Sequence, residues 1–160
     1  EWPTSQQLSE MAISAARVVR LFGFVPRVAF VSHSTFGQPI TSRTEQIREA
    51  VEILKEKNVD FEFDGDMQPD VALNEEYKKL YPFSKIVGNA NILIMPGQHA
   101  ASISYKMIKA FGDSKVIGPL LIGLGLPIEI APLRCSTSEI LNLASIAAYS
   151  SDIIDYNLEN

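Results

Sequence analysis

The chain has one cysteine, two histidines and no apolar run near the ~18 residues that a membrane span requires. One cysteine cannot close an internal disulfide, and two histidines without neighbouring cysteines give no zinc-ligand spacing, so neither a disulfide framework nor a structural zinc site is expected. A reducing, cytoplasmic setting is the corresponding expectation. Positive charge is scarce as well: 14 Lys and Arg against 19 Asp and Glu leave a net charge of -5 and an isoelectric point near 5.0. Nucleic-acid surfaces need clustered Lys and Arg, so that class is excluded, whereas an anionic small molecule held by a few local donors is not. The N-terminus lacks the basic and apolar regions of a signal peptide. It also lacks a methionine, and "EWPTSQQ" reads as the interior of a longer polypeptide.

What is present is a hydrophobic content of 46% in 160 residues, enough for one well-buried domain. Leu8, Met11, Ala12, Ala15, Val18, Val19 and Phe22 recur at the helical period, with Thr4 and Gln7 as a capping box and Gly23 as a stop. "PRVAFVSH" reads as a buried strand. "SRTEQIREAVEILKEKN" is a second amphipathic helix, capped by Ser42 with Glu45 three residues on. "VDFEFDG" reads as a short alternating strand, "DVALNEEYKKLY" as a short helix, and "ANILIMP" as a buried strand ended by Pro96. A helix through "AASISYKMIKAFG" ends at Gly112, and "VIGPLLIGLGLPIEIAP" is expected to form short strands broken by Gly and Pro. The last helix starts at Ser136. Strands alternating with helices imply an α/β sheet covered on both faces.

Four stretches carry polar groups that chemistry could use. "GLGLP", residues 123 to 127, follows a strand, but the third glycine of a dinucleotide loop is absent and Pro127 continues extended chain. "DGDMQPD" offers Asp64, Asp66 and Asp70; it lacks the later glutamate of a calcium loop, and a turn with an N-cap at Asp70 is the better reading than a metal site. In "SHSTFGQ", Ser32, Ser34, Thr35 and Gly37 can receive a phosphate or carboxylate, or equally satisfy their own backbone. Cys135 with His33 and His99 invites a thiolate nucleophile, yet a structural cysteine before an N-cap accounts for it, and Ser136 with Glu139 is a capping box. Arg134 is the residue of that corner that capping does not explain.

Taken in order, "RVAFVSHSTFG", "FEFDGDMQPDVAL", "GNANILIMP", "ISYKMIKAFG", "IGPLLIGLGLP" and "CSTSEILNLASIAA" resemble the second half of the phosphate acetyltransferase and butyryltransferase family, from about residue 8 to residue 149. The resemblance implies an α/β, three-layer αβα sandwich of the isocitrate dehydrogenase type with its site in a cleft between subdomains. Residues 1–128 would be the second subdomain, 129–150 a returning C-terminal segment and helix, and 151–160 a tail. Active members commonly read Ser-Arg-Gly-Cys-Ser before the last helix. Aligned on Cys135 and Ser136, Pro132 falls at the catalytic serine, Leu133 at the arginine, Arg134 at the glycine and Glu139 at an acidic position of the helix's first turn. The hydroxyl and guanidinium of that motif are gone, so no catalytic residue is assigned.

"MPGQHAASISYK" with "IAPLRCSTSEILN" further resembles the transferase-like C-terminal domain of large bacterial NADP-dependent malic enzymes. That resemblance implies a regulatory, oligomer-building domain responding to acetyl-CoA or a related acyl-CoA. The ligand contacts it points to are Ser32, Ser34, Thr35, Tyr105, Lys106 and Arg134. No cofactor is expected in this chain. NADP and a divalent metal, Mg or Mn, would belong to an upstream malate-decarboxylating region, and self-association as a homodimer or higher is expected.

Overall fold

The computed structural model describes residues 1–112, 115–124 and 126–158, and of 152–158 the backbone alone. It divides into two compact units, Glu1–Lys106 and Met107–Asn160. No described helix is long and apolar enough to cross a membrane.

In the first unit, Thr4 accepts the Gln7 amide at 3.2 Å and the Gln7 side chain accepts the Thr4 amide at 2.9 Å. This box opens α1 (Ser5–Leu21), and Gly23, at φ +79°, lies just past its end. The next helix, α2 (Ser42–Glu56), is capped one residue earlier than expected: Thr41 accepts the Thr44 amide, and the Thr44 hydroxyl accepts the Thr41 amide at 2.8 Å. Both neighbours carry hydroxyls; Thr41 has the extended backbone that a cap requires, so Ser42 becomes the first helical residue.

Three parallel strands, β1 (Arg27–Val31), β2 (Glu62–Met67) and β3 (Ile92–Ile94), make a sheet in the order β2-β1-β3. Alternation sends Val28 and Phe30 of β1 to one face, where they pack with Leu8 and Ala12 of α1 and Ile47 and Leu54 of α2. Ala29 points to the other face, against Met67, Ile86, Ala90 and Ala72 of α3 (Pro69–Leu73). Helices and chain thus cover both faces, giving the expected three-layer α/β arrangement. Burying Phe30 completely is worth about 2–3 kcal/mol by apolar area. A short α4 (Glu75–Lys78) follows, and Lys78 is buried with its ammonium donating to the Gly88 carbonyl. Desolvation there lowers the lysine's pKa.

β2 departs from the usual exposure of polar strand residues. Asp64 and Asp66 are buried, Asp66 entirely, while Phe61 and Phe63 are half-buried. The Asp64 carboxylate accepts the Lys85 amide at 2.7 Å and the Gly65 amide at 3.0 Å, so it ties a distant loop to the sheet.

The final helix of the unit, α5 (Gln98–Phe111), begins under the chain's first residues. The Gln98 amide donates to the Glu1 carbonyl at 3.2 Å, His99 pairs with the Glu1 carboxylate at 2.6 Å, and Trp2 stacks on His99 with Arg43 4.3 Å from its ring.

The second unit holds the end of α5 and α6 (Thr137–Leu158). Lys109 Nζ meets Glu139 at 2.9 Å, and among the described residues Leu143 is the one apolar side chain of this unit in the buried core. The expected short strands in the apolar segment around residues 116–130 are not formed by the residues described there. Gly118 and Gly123 have positive φ, and Pro119 and Pro127 remove ladder donors, so the segment has no continuous edge to pair.

Candidate functional site

Because all three strands are parallel, the connections leaving their carboxyl ends lie along one edge of the sheet, where open α/β sheets take ligands. The hydroxyl loop, residues 32–38, is the connection after β1. Its backbone is stitched to the end of β2: the Ser32 amide donates to the Met67 carbonyl at 2.9 Å and the Phe36 amide to the Asp66 carbonyl at 2.7 Å. Gln68 completes the seam, with its amide on Thr35 Oγ1 at 3.2 Å and its side-chain nitrogen on the His33 carbonyl at 2.8 Å.

The three loop hydroxyls belong to one turn and are all buried. Ser32 Oγ accepts the Ser34 amide at 3.3 Å, and Thr35 Oγ1 is taken by Gln68. Ser34 Oγ is fully enclosed and without a hydrogen-bond partner, a polar atom that a protein interior normally pairs. Tyr105 and Lys106 stand two turns into α5, Tyr105 half-buried and Lys106 exposed. Arg134 is exposed and belongs to the second unit.

The sequence "APLRC" forms an exposed turn closed by the Cys135 amide on the Pro132 carbonyl at 2.9 Å. Leu133 projects fully into solvent, and neither it nor Pro132 offers a side-chain donor. Beyond the turn, Ser136 and Glu139 form the expected capping box: the Ser136 amide donates to Glu139 at 2.8 Å and the Glu139 amide to Ser136 Oγ at 3.3 Å. The Ser136 amide above all, then Lys109 and the Ser136 hydroxyl, hold the Glu139 carboxyl down at about 2. A crevice beside Cys135, lined by Val116, Ile117, Gly118, Glu139, Asn142 and Leu143, has about 10 Å³ of free volume, the room of one water.

The described residues contain no group of three or more His, Cys, Asp or Glu placed to hold a metal ion. Asp64 and Asp66 spend their carboxylates on backbone amides and Arg48, and Asp70 accepts the Val71 amide at 3.0 Å. Asp70 does not cap α3; Gln68 occupies that position because Pro69 begins the helix. In "GLGLP", Gly125 lies outside the described residues. The sequence reading missed Arg48, which looks like one more solvated helix charge; its only signal is an aspartate 18 residues later.

A model of the phosphate acetyl/butaryl transferase family matches residues 1–148. An NADP-dependent malic enzyme of Rhizobium meliloti (strain 1021) is 49% identical over 151 residues, covering 94% of this chain and 20% of that protein. A phosphate acetyltransferase of Bacillus subtilis (strain 168) is 37% identical over 147 residues, covering 91% of this chain and 46% of that protein. Among solved structures, a phosphotransacetylase from Streptococcus pyogenes matches with a TM-score of 0.86 at 33% identity, over 94% of this chain and 46% of the other. The EutD phosphotransacetylase from Staphylococcus aureus gives 0.84 at 30% identity, over 93% and 47%. The chain therefore spans about a fifth of the malic enzyme and just under half of the transferases. It is homologous to the transferase-like C-terminal part of malic enzymes, and it belongs to the phosphate acetyl/butaryl transferase family.

Proposed function

We propose that this chain is a non-catalytic, ligand-sensing and assembly domain of an NADP-dependent malic enzyme, an oxidative decarboxylase of malate to pyruvate, with acetyl-CoA or a related acyl-CoA as its effector. The observation that carries this reading is the exposed turn at Pro132 and Leu133, which holds no side-chain donor; the family resemblance, aligned on Cys135 and Ser136, puts these two residues at the serine and arginine of active members. Acyl transfer to phosphate builds charge on the acyl oxygen and must hold an anion; loss of one such preorganised donor costs about 100- to 1000-fold in rate. Ser136 does not substitute, since its hydroxyl is committed to Glu139 at 2.8 Å. The crevice at Cys135 is too small for an acyl group.

A cleft that has lost its reacting groups can keep its ligand. If acyl-CoA prefers one arrangement of protomers, it shifts the attached enzyme toward that arrangement by the difference in affinity. Within the first unit, the hydroxyls of Ser32, Ser34 and Thr35 offer hydrogen bonds, Tyr105 a phenol and Lys106 positive charge for phosphate; Arg134 is a separate candidate contact, in the second unit. Self-association as a homodimer or larger, a cytoplasmic location, and an upstream catalytic region holding NADP and Mg or Mn belong to the same proposal.

Two assays on the full parent protein test it. Acetyl phosphate formation from acetyl-CoA and phosphate is expected to be absent, and acetyl-CoA is expected to change the rate of malate decarboxylation. Acetyl phosphate turnover at ordinary enzyme rates would assign an active phosphate acyltransferase instead. Malate turnover indifferent to acetyl-CoA would leave an assembly module alone.

A further inference from the structure

Asp66 is wholly enclosed at the end of β2. A carboxylate removed from water needs a cation or several donors, and breaking such a pair is costly. Its two oxygens receive Arg48 Nε at 3.3 Å and the Gly37 amide at 3.4 Å. Arg48 reaches it from α2 and remains 40% exposed along its side chain.

Gly37 explains how the guanidinium is held. A Cβ at position 37 would lie 1.7 Å from Arg48 Nη2, 2.7 Å from Cζ and 3.3 Å from Nη1. The guanidinium is therefore packed against the α-carbon of residue 37, in space that a side chain would fill, at a φ of +84° that glycine adopts freely. Arginine carries five N–H donors in a rigid fork. Asp66 takes the Nε donor, and Nη1 and Nη2 have no acceptor among the described residues.

We infer that Arg48 is a phosphate-binding residue at the lip of the hydroxyl loop, oriented by Asp66 and Gly37 and gripping phosphoryl oxygens through Nη1 and Nη2. The anchoring separates it from a solvated surface arginine, because the side chain is already ordered before a ligand arrives. Asp66 occupies the Nε edge alone, and the remaining fork matches the paired oxygens of a phosphoryl group bidentately. The ligand class is a phosphate monoester or pyrophosphate. The inference deepens the acyl-CoA reading of this loop, and rests on that reading for the identity of the ligand.

Inorganic pyrophosphate titrated into the isotope-labelled 160-residue chain, with the Arg48 Nε–H and Gly37 amide followed by NMR, tests it directly. Saturable shifts at both groups are expected. Arg48→Met should weaken binding about tenfold or more, and Arg48→Lys, which keeps the charge and loses the fork, by an intermediate factor. Absent saturation, or saturation that leaves Arg48 and Gly37 unmoved, overturns the inference. Should Arg48→Met fail to fold, the wild-type shift map decides. Pyrophosphate bound at Arg48 with acetyl-CoA bound nowhere would sink the acyl-CoA reading and keep this one; acetyl-CoA binding indifferent to Arg48→Met in a folded variant would do the reverse.

Discussion

Ser136 and Glu139 exchange donors at the mouth of α6: one glutamate oxygen accepts both the Ser136 amide and the Ser136 hydroxyl at 2.8 Å, while Lys109 holds the other oxygen at 2.9 Å. These bonds hold the carboxyl at about 2 against its ordinary 4.5. Between those values the unfolded chain binds more protons than the folded one, so stability rises with pH. The contribution is expected in full above about 4.5 and lost as the pH falls through about 2. Melting temperature against pH for wild type and Glu139→Gln checks this: the gap between them should close in acid, and a gap that stays constant from neutral pH down to pH ~2 contradicts it.

Removing the cap itself is a separate matter. Ser136→Ala takes away the acceptor of the Glu139 amide, and a loss of about 1 kcal/mol is expected from chemical denaturation. An unchanged midpoint would mean that α6 does not depend on this box.

Much of this fold is legible in the sequence because capping hydroxyls and periodicity are local. Thr4 with Gln7 and Ser136 with Glu139 are read directly, and so are the strands at Arg27–Val31 and Ile92–Ile94. The start of α2 slips by one residue because Thr41 and Ser42 are both capping types, with serine if anything preferred, and backbone geometry chooses Thr41. The segment near residues 116–130 has the composition of strands, but a strand exists through its ladder partner, which composition does not supply. At the candidate site, the hydroxyl loop is visible as a cluster of residue types. The inward turn of Asp66 and its reach to Arg48 are not, since an aspartate in an alternating strand ordinarily faces water.

Gly65 lies opposite Phe30 across the β1–β2 pair. A Cβ there would come within 2.7 Å of Phe30 Cβ and 2.8 Å of the Phe30 carbonyl oxygen, so Gly65→Ala forces the strands apart. Destabilisation of about 2 kcal/mol or more is expected in urea unfolding, and a neutral result would show that the sheet yields without cost.

Trp2, the chain's one tryptophan, reports on the start of α5 because its ring stacks with His99 and has the Arg43 guanidinium over it. Arg43→Ala and His99→Ala should each red-shift its emission and raise its accessibility to acrylamide, at about 0.5–1 kcal/mol apiece. Emission indifferent to both changes would contradict the stack.

The central claim is retained ligand binding without chemistry. A calorimetric titration of the 160-residue chain with acetyl-CoA, against free coenzyme A, tests it most directly. Saturable binding that favours the acetylated form, with no acetyl transfer to phosphate, is the predicted result. Binding absent both from this chain and from the full-length parent would contradict the account and leave an assembly surface in its place.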